Sequence, residues 1–444
     1  MFGRGGGHAE ESSPDAVSLL NNASAIYVII EAVQRKLREL EMGGSALTTE
    51  LLNRRAVHPF PARMAANIPW EILSPRRGCL RVLDPMAGSG TSLIVGRAAG
   101  HATYGVDSDP LAVLISRVGT ADAKEARIEE HGREALRFAK RIEVPACQAY
   151  PYNADEETRE FVRYWFDLEA RKQLSALTRA IQNVDDDSSR KFLWCALSRM
   201  IITKDAGVSL ARDVSHSRPH KSFRRSPVKP FELFETALKR VLTGCLFRAT
   251  SPGPKVKVWR GDARDLPLES ESIDLVITSP PYLNAIDYMR GHKLSLVWMG
   301  HRIETLRKIR GESVGAECGG ANVSDNEISN IVHKMGRVQR LAERFQKMIR
   351  RYVKDMDAVM SEISRVLVPK GLAVMVMGDC TLRGIYVRNS VAIRLLAAGH
   401  GLDLISEKRR RIPDSRRYLP PPRQESGDAL AKRLRTEVIL GFRK

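Results

Sequence analysis

No two of the six cysteines stand at metal-ligand spacing. Cys79, Cys147, Cys195, Cys245, Cys318 and Cys380 are scattered singly, without a Cys-x-x-Cys pair, so neither a zinc site nor a disulfide framework is indicated and a reducing compartment fits. Long apolar runs are missing as well. The longest near the N-terminus, Ala25 to Ile30, falls far short of the roughly 18 residues that mark a membrane span, and no signal-peptide layout surrounds it. No repeat recurs at solenoid periods. Acidic residues are in short supply: 52 Asp and Glu face 71 Lys and Arg, a formal net charge of +19 over 444 residues. A surplus of that size suits a polyanionic partner, because neutralising phosphates with Lys and Arg releases counterions and supplies affinity without regard to sequence. These absences predict a soluble cytoplasmic protein with no membrane partner.

What is present predicts an α/β chain. Gly3 to Pro14, rich in Gly, Ser and charge, reads as an unstructured lead-in, and helical periodicity then runs from Asp15 to Glu41 and stops at Gly43 and Gly44. Arg81 to Leu83 reads as a short strand, followed by a Gly-rich turn, a helix over Thr91 to Ala99 and a second strand at Ala102 to Val106. That order implies parallel pairing in a doubly wound sheet. Further strands are expected at Val256 to Trp259, Leu275 to Thr278, Leu372 to Met377 and Glu437 to Phe442. Between the second and third strands, Glu156 to Asn183 and Ser189 to Ile202 carry helical patterning, in far more chain than a crossover needs. The expected division is an N-terminal extension and helix at 1–50, a first catalytic part at 51–120, a helical insertion at 121–254 that could recognise a target, and a second catalytic part at 255–444.

Two motifs carry chemistry. Asp84-Pro85-Met86-Ala87-Gly88-Ser89-Gly90-Thr91 directly follows the first strand. Its glycines let the backbone turn tightly, approach a ligand closely and enter a helix N-terminus. The spacing is not the Gly-x-Gly-x-x-Gly of a dinucleotide site, and Asp84 puts a carboxylate where a cationic ligand group would sit. Alone, the segment could be an ordinary tight turn. Asp107, at the end of the second strand, is placed to accept both hydroxyls of a ribose, with a helix cap as the plainer role.

The second motif is Ser279-Pro280-Pro281-Tyr282, at the end of the strand that begins near Asp274. Consecutive prolines cannot extend a central strand, so the carbonyls of Ser279 and Pro280 are held rigidly at its mouth. That suits an exocyclic amine, a poor nucleophile whose lone pair is delocalised into its ring. The Ser279 hydroxyl and Pro280 carbonyl would take its two hydrogens and aim the nitrogen at an electrophile. Tyr282 would stack on an extruded base, worth roughly 1 to 3 kcal/mol.

Together these segments resemble the DNA amino-methyltransferases, the family that makes N4-methylcytosine or N6-methyladenine. Asp84 to Thr91 is similar to the family's cofactor motif Asp-Pro-Phe-x-Gly-Ser-Gly-Thr, with Met86 in place of the aromatic, and Ser279 to Tyr282 is similar to its catalytic motif. His58 to Met64 resembles the segment that packs over the methionine end of the cofactor. Gly261 to Asp265 resembles the third-strand motif and Gly371 to Asp379 the fifth strand. The resemblance covers most of 55–120 and 255–444 and implies a mostly parallel, seven-stranded Rossmann-like methyltransferase sheet. It implies S-adenosylmethionine as cofactor, held by His58, Pro59, Asp84 to Thr91, Asp107, Asp262 and Ala263, with its amino group near Asp84, ribose at Asp107 and adenine at Asp262 and Ala263. No metal is required, since a sulfonium is already activated.

Ser at the first catalytic position is typical of cytosine N4 enzymes in this family and Asp or Asn of adenine N6 enzymes, so cytosine leads and adenine stays open. Carbon-5 chemistry is disfavoured because no cysteine follows a proline. For DNA contact the basic run His216 to Arg225 supplies Arg218, Lys221, Arg224 and Arg225, and Arg290 follows the catalytic motif. The stretch from Arg302 to Arg350, with its Gly-rich part Gly311 to Asn326, reads as a surface loop or a loop that closes on DNA. His292 and His333 are read as structural. An RNA methyltransferase, and a non-catalytic DNA-binding protein on the same fold, remain rivals. A cognate restriction nuclease and association with the nucleoid are compatible with the leading reading.

Overall fold

Val82 and Leu83 have no solvent exposure, and that short apolar run lies at the centre of the sheet. The computed structural model describes residues 56–61, 63–247, 253–283, 287–315, 326–412 and 436–444. The expected lead-in and the helix over Asp15 to Glu41 lie outside them.

In chain order the first elements are α1 (Asn67–Leu73), β1 (Arg81–Asp84), α2 (Thr91–Ala98), β2 (Ala102–Asp107) and α3 (Pro110–Thr120). The helices α4 (Glu125–Arg141), α5 (Glu156–Trp165), α6 (Leu168–Gln182) and α7 (Asp187–Ile201) follow, then a hairpin of β3 (Ala211–Arg212) and β4 (His220–Lys221), and α8 (Pro230–Thr243). The chain returns to the sheet with β5 (Val256–Arg260) and β6 (Ile273–Thr278), followed by α9 (Tyr288–Leu296), α10 (Ile303–Glu312), α11 (Asn326–Lys334) and α12 (Glu343–Val366). Last come β7 (Leu367–Met377), the small hairpin β8 (Cys380–Leu382) and β9 (Ile385–Val387), α13 (Asn389–Gly399), β10 (Asp403–Arg411) and β11 (Thr436–Arg443).

Seven strands form one sheet in the order β10, β11, β7, β6, β1, β2, β5. β1 runs parallel to β2 and β6, β2 to β5 and β6 to β7, while β11 is antiparallel to both β7 and β10. From β1 the chain winds outward through β2 to β5, then returns to pair β6 on the other side of β1. Strand order reverses there, and in open α/β sheets the crevice at such a reversal is where ligands bind.

The sequence reading names six of these strands. β10 escaped it because Glu407 to Arg411 is charged throughout, and an edge strand exposed along nearly its whole length needs no apolar alternation. The Arg302 to Arg350 stretch, read as a loop, contains α10, α11 and the start of α12; residues 316–325 within it are not described. On α12 the buried residues Met348, Ile349, Tyr352, Met356, Val359 and Ile363 recur at helical spacing, which masks the basic residues between them. The expected helical stretch Glu156 to Asn183 breaks at Asp167, whose carboxylate caps α6 by accepting from the Ala170 N–H at 2.8 Å.

The helices between β2 and β5 share one apolar core with α3 and α9. Leu111, Ile115 and Val118 of α3 belong to the same buried cluster as Phe192, Met200, Phe234 and Trp298. A second cluster joins α12, α13 and β7 with Leu83, Val106 and Val276 of the inner strands. Among the described residues no helix is long and apolar enough to cross a membrane. Trp298, 1% exposed and edge-on to Phe166 at 5.4 Å, pins the residues after α9 to the helical layer. Trp298→Ala should cost about 3 to 5 kcal/mol by chemical denaturation, and a loss below about 1 kcal/mol would show that the two layers are not packed as one body.

Candidate active site

The bend after β1 forms because two residues adopt left-handed backbone. Gly88 has φ +51° and Gly90 φ +75°. A side chain at Gly90 would lie 3.0 Å from the Cα of Ser116, so the bend seats directly on α3. Ser116 Oγ donates to the Gly88 carbonyl at 3.0 Å. Asp107, from β2, accepts the Gly88 N–H at 2.8 Å with one oxygen and the Asp109 N–H at 2.9 Å with the other. Burial, with Asp109 beside it, pushes the Asp107 carboxyl up to about 7.

At the neighbouring strand end, Thr278 donates its hydroxyl proton to Asp84 Oδ1 at 2.7 Å, and the Met86 N–H donates to the same oxygen at 3.2 Å. Asp84 is 3% exposed, and burial pushes its carboxyl up to about 6 while these donors pull it down. Thr278 directly precedes Ser279. The two motifs are therefore joined by one buried hydrogen bond as well as by the pairing of Val82 with Leu275 and Leu83 with Val276.

Both motifs open into one cavity of about 370 Å³, lined on one side by Pro85 to Ser89, Thr91 and Asp107, and on another by Ser279, Pro281 and Tyr282. Asp262 and Ala263 also reach it. Arg264 bonds the Asp262 carboxylate at 2.6 Å and, against the effect of burial, holds it below the usual range. Tyr282 packs its ring on Gly378 at the end of β7, where a side chain would approach it to 3.3 Å. Burial, then Glu437 nearby, raises the Tyr282 hydroxyl to about 12, with a hydrogen bond to Ser279 opposing them.

Not every expected residue faces the cavity. Asp84 lies beneath it as the tie to Thr278, Gly90 serves as the left-handed cap of α2, and Pro280 is buried behind the wall. His58 and Pro59 do not line it either. The His58 ring is buried with Nε2 2.9 Å from Ser198 Oγ, and burial, then His292 and Arg199, holds it well below the usual histidine range. From the same segment Phe60, Arg63 and Met64 do line it.

Asp109 and Tyr288 also line the cavity, outside the set expected to hold the cofactor. Asp109 caps α3 through the Leu111 N–H at 2.8 Å and accepts from His292 Nδ1 at 2.5 Å. His292 and Tyr288 of α9 pack against Phe60, with ring centroids at 5.2 and 5.3 Å, and Phe60 covers Gly88. Asp109-Pro110 carried a usable signal, an N-cap acid followed by proline at the first helical position. Nothing local marked His292, whose partner is distant in sequence.

The expected DNA-contacting residues Arg218, Lys221, Arg224 and Arg225 are exposed on β4 and its flanks, and Arg290 is exposed on α9. The hairpin is fastened to α9: Ser217 Oγ donates to the carbonyls of Asp287 and Tyr288 and accepts the Gly291 N–H at 3.1 Å. Lys221 Nζ sits 4.7 Å from the ring centroid of Tyr164, which is 53% exposed, so a cation and an aromatic face point outward together.

The sheet order, the left-handed bend after the first strand and the crevice at the strand reversal define a Rossmann-like methyltransferase fold. No family model matches the chain. Over 403 residues it is 23% identical to Type II methyltransferase M.MvaI of Kocuria varians, covering 83% of this chain and 86% of that one. A SAM-dependent methyltransferase from Methanosarcina mazei aligns over 83% of this chain and 94% of its own, with TM-score 0.31 and 7% identity. A candidate DNA modification methylase from Thermus thermophilus aligns over 41% of this chain and 50% of its own, with TM-score 0.20 and 20% identity. Superpositions this loose carry no weight for function.

Thr278→Val keeps the shape and removes the Asp84 donor. Because the Asp84 carboxyl already titrates near 6, well above an unfolded aspartate, its ionised form is what the missing donor penalises. The loss should be about 1 to 3 kcal/mol above pH ~7 and shrink below pH ~5, as Asp84 takes up a proton. Denaturation curves across that range check it, and a loss independent of pH would remove the bond's assigned role.

Proposed function

We propose that this chain is an S-adenosylmethionine-dependent DNA methyltransferase acting on the exocyclic amine of an extruded base, with cytosine N4 as its target. One observation carries the reading: the glycine bend, Asp107 and the Ser-Pro-Pro-Tyr segment line a single cavity. The similarity to Type II methyltransferase M.MvaI over most of both chains supports it from outside the geometry.

The residues present fit the cofactor. Asp107 has two oxygens at a strand end, and Gly88, bonded to one of them through its N–H, brings bare backbone to the cavity. Asp262 and Ala263 line the same cavity, which falls within the roughly 300 to 1,000 Å³ usual for small-molecule sites. When bound, S-adenosylmethionine supplies a methyl group already activated on a sulfonium.

The chain's own work is to hold the amine. The Ser279 hydroxyl accepts an amino hydrogen at the cavity wall, drawing the nitrogen towards a tetrahedral geometry, while Pro280, buried behind that wall, fixes the backbone that presents the hydroxyl. Pro281 keeps that backbone stiff, and Tyr282 offers its ring to the base. Cytosine is preferred over adenine because the resemblance makes Ser at this position typical of cytosine N4 enzymes; a neutral Ser279 hydroxyl places no charge in the pocket and would serve either base. Outside the cavity, Arg218, Lys221, Arg224 and Arg225 face DNA phosphates on a hairpin bolted to the cavity wall, and Arg290 faces them from α9.

Mass spectrometry of nucleosides from DNA incubated with the protein and S-adenosylmethionine tests this directly: N4-methylcytosine is expected, N6-methyladenine would replace the target base, and methylation confined to tRNA or rRNA would replace the substrate. Tyr282→Ala should spare cofactor binding and depress methyl transfer at least roughly tenfold, whereas an unchanged rate would remove the stacking role. Asp107 must be ionised to accept two ribose hydroxyls, yet its carboxyl titrates near 7 in the ligand-free chain. Cofactor affinity should therefore drop roughly tenfold per pH unit below ~7, with proton release on binding. Calorimetry at about pH 6 and about pH 8 reads both, and equal affinities would argue against an Asp107 contact.

A further inference from the structure

Four cations gather where two helices meet, two of them lining the cavity. Arg290 and Lys293 stand three residues apart on α9, and Arg307 and Arg310 three apart on α10, so each pair shares one helix face. The two helices touch. Arg307 and Arg310 also line the cavity that holds Ser279 and Tyr282. Two carboxylates bond to this group: Asp287 reaches Arg310 at 2.7 Å and Arg290 at 3.5 Å, and Glu157 pairs with Arg307. Four cations against those two carboxylates leave an excess of two positive charges.

Lys293 feels that excess most. It is partly buried, with Nζ 5.1 Å from the centroid of the Phe161 ring. Burial, then Arg310, Arg290 and Arg307, depresses its ammonium below the usual lysine range, with Asp287 pulling the other way. Like charges forced together at a partly desolvated helix contact are costly unless an anion relieves them.

We propose that Arg290, Lys293, Arg307 and Arg310 form a phosphodiester site that takes the DNA backbone phosphate beside the extruded nucleotide. The inference rests on the DNA-methyltransferase reading, because a base held against Ser279 and Tyr282 brings its own sugar-phosphate to the rim that Arg307 and Arg310 line. It adds Lys293, Arg307 and Arg310 to the DNA-facing residues and gives them a task different from that of the β3–β4 hairpin: they hold the nucleotide that has left the stack.

The probe is a labelled duplex DNA carrying a mispaired cytosine, which unstacks at low cost, alongside its fully paired counterpart. Binding of the full chain is read by fluorescence anisotropy over a salt series. Lys293→Gln and Arg307→Gln should each weaken binding to the mispaired duplex roughly tenfold, the worth of one charge-assisted hydrogen bond. Each should also reduce the slope of log affinity against log salt by about one. Lys293→Arg should keep the slope, which separates charge from folding. Lys347→Gln, an equal charge change on α12, should leave the preference for the mispaired duplex intact. Unchanged affinity and slope in both Gln variants, in a protein that still methylates DNA, would overturn this site alone. Equal losses from Lys347→Gln would overturn it too. A wild-type chain that binds neither duplex, or that binds structured RNA more tightly, would overturn the DNA reading and the site together.

Discussion

The hydrogen bond from Thr278 to Asp84 holds together two strand ends on which everything else depends. β1 delivers the glycine bend and β6 the paired prolines, and parallel pairing puts both ends on the same edge of the sheet. Pairing alone leaves the two loops free to diverge. A carboxylate buried between them, accepting from the Thr278 hydroxyl and from the Met86 N–H, ties the last residue of one strand to the turn that follows the other. Burying that carboxylate raises its proton affinity, and the two donors offset part of the cost. Asp84 is thus better described as the floor of the cavity than as part of its wall.

From that floor the site is built outward in shells of different character. Asp107 and Asp109 close one side by accepting backbone N–H groups, which sets the acids in place before any ligand arrives. Asp109 then reaches His292, and through it the aromatic contact of Phe60 with Tyr288. Ser198 and Ser295, hydrogen-bonded at 3.0 Å, extend the buried polar contacts from His58 into the helical layer. The helices inserted between β2 and β5 are accordingly structural partners of the cavity wall as well as a platform for the basic hairpin. Ser217 makes the same connection from outside, fixing the hairpin to the start of α9.

How much of this was legible before folding depends on how local each signal is. The glycine bend, the paired prolines and the strands leading into them were readable, because backbone geometry at Gly88, Gly90 and Pro280 to Pro281 follows from residue type. The helical character of the insertion was readable from periodicity. β10 was not, since an edge strand of Lys and Arg carries no apolar alternation. Nor were α10, whose apolar positions lie among arginines and lysines, and α11, a nine-residue helix with three buried apolar positions. His58 was expected as a cofactor contact because its segment, His58 to Met64, resembles one that packs over the cofactor, yet Phe60 meets Gly88 while His58 is buried against Ser198.

The sequence by itself determined the chemistry on offer: a tight bend that admits a ligand, a rigid mouth that can hold an amine, and a positive surplus suited to phosphate. Those are properties of single residues and near neighbours. Only the tertiary structure decided which groups meet, that Asp84 supports while Asp107 lines, that His292 answers Asp109 from 183 positions away, and that four cations from two helices gather beside the cavity, two of them lining it. The physical reason is that charge, burial and hydrogen-bond partnership act across space, and a sheet whose strand order departs from chain order brings distant residues into contact.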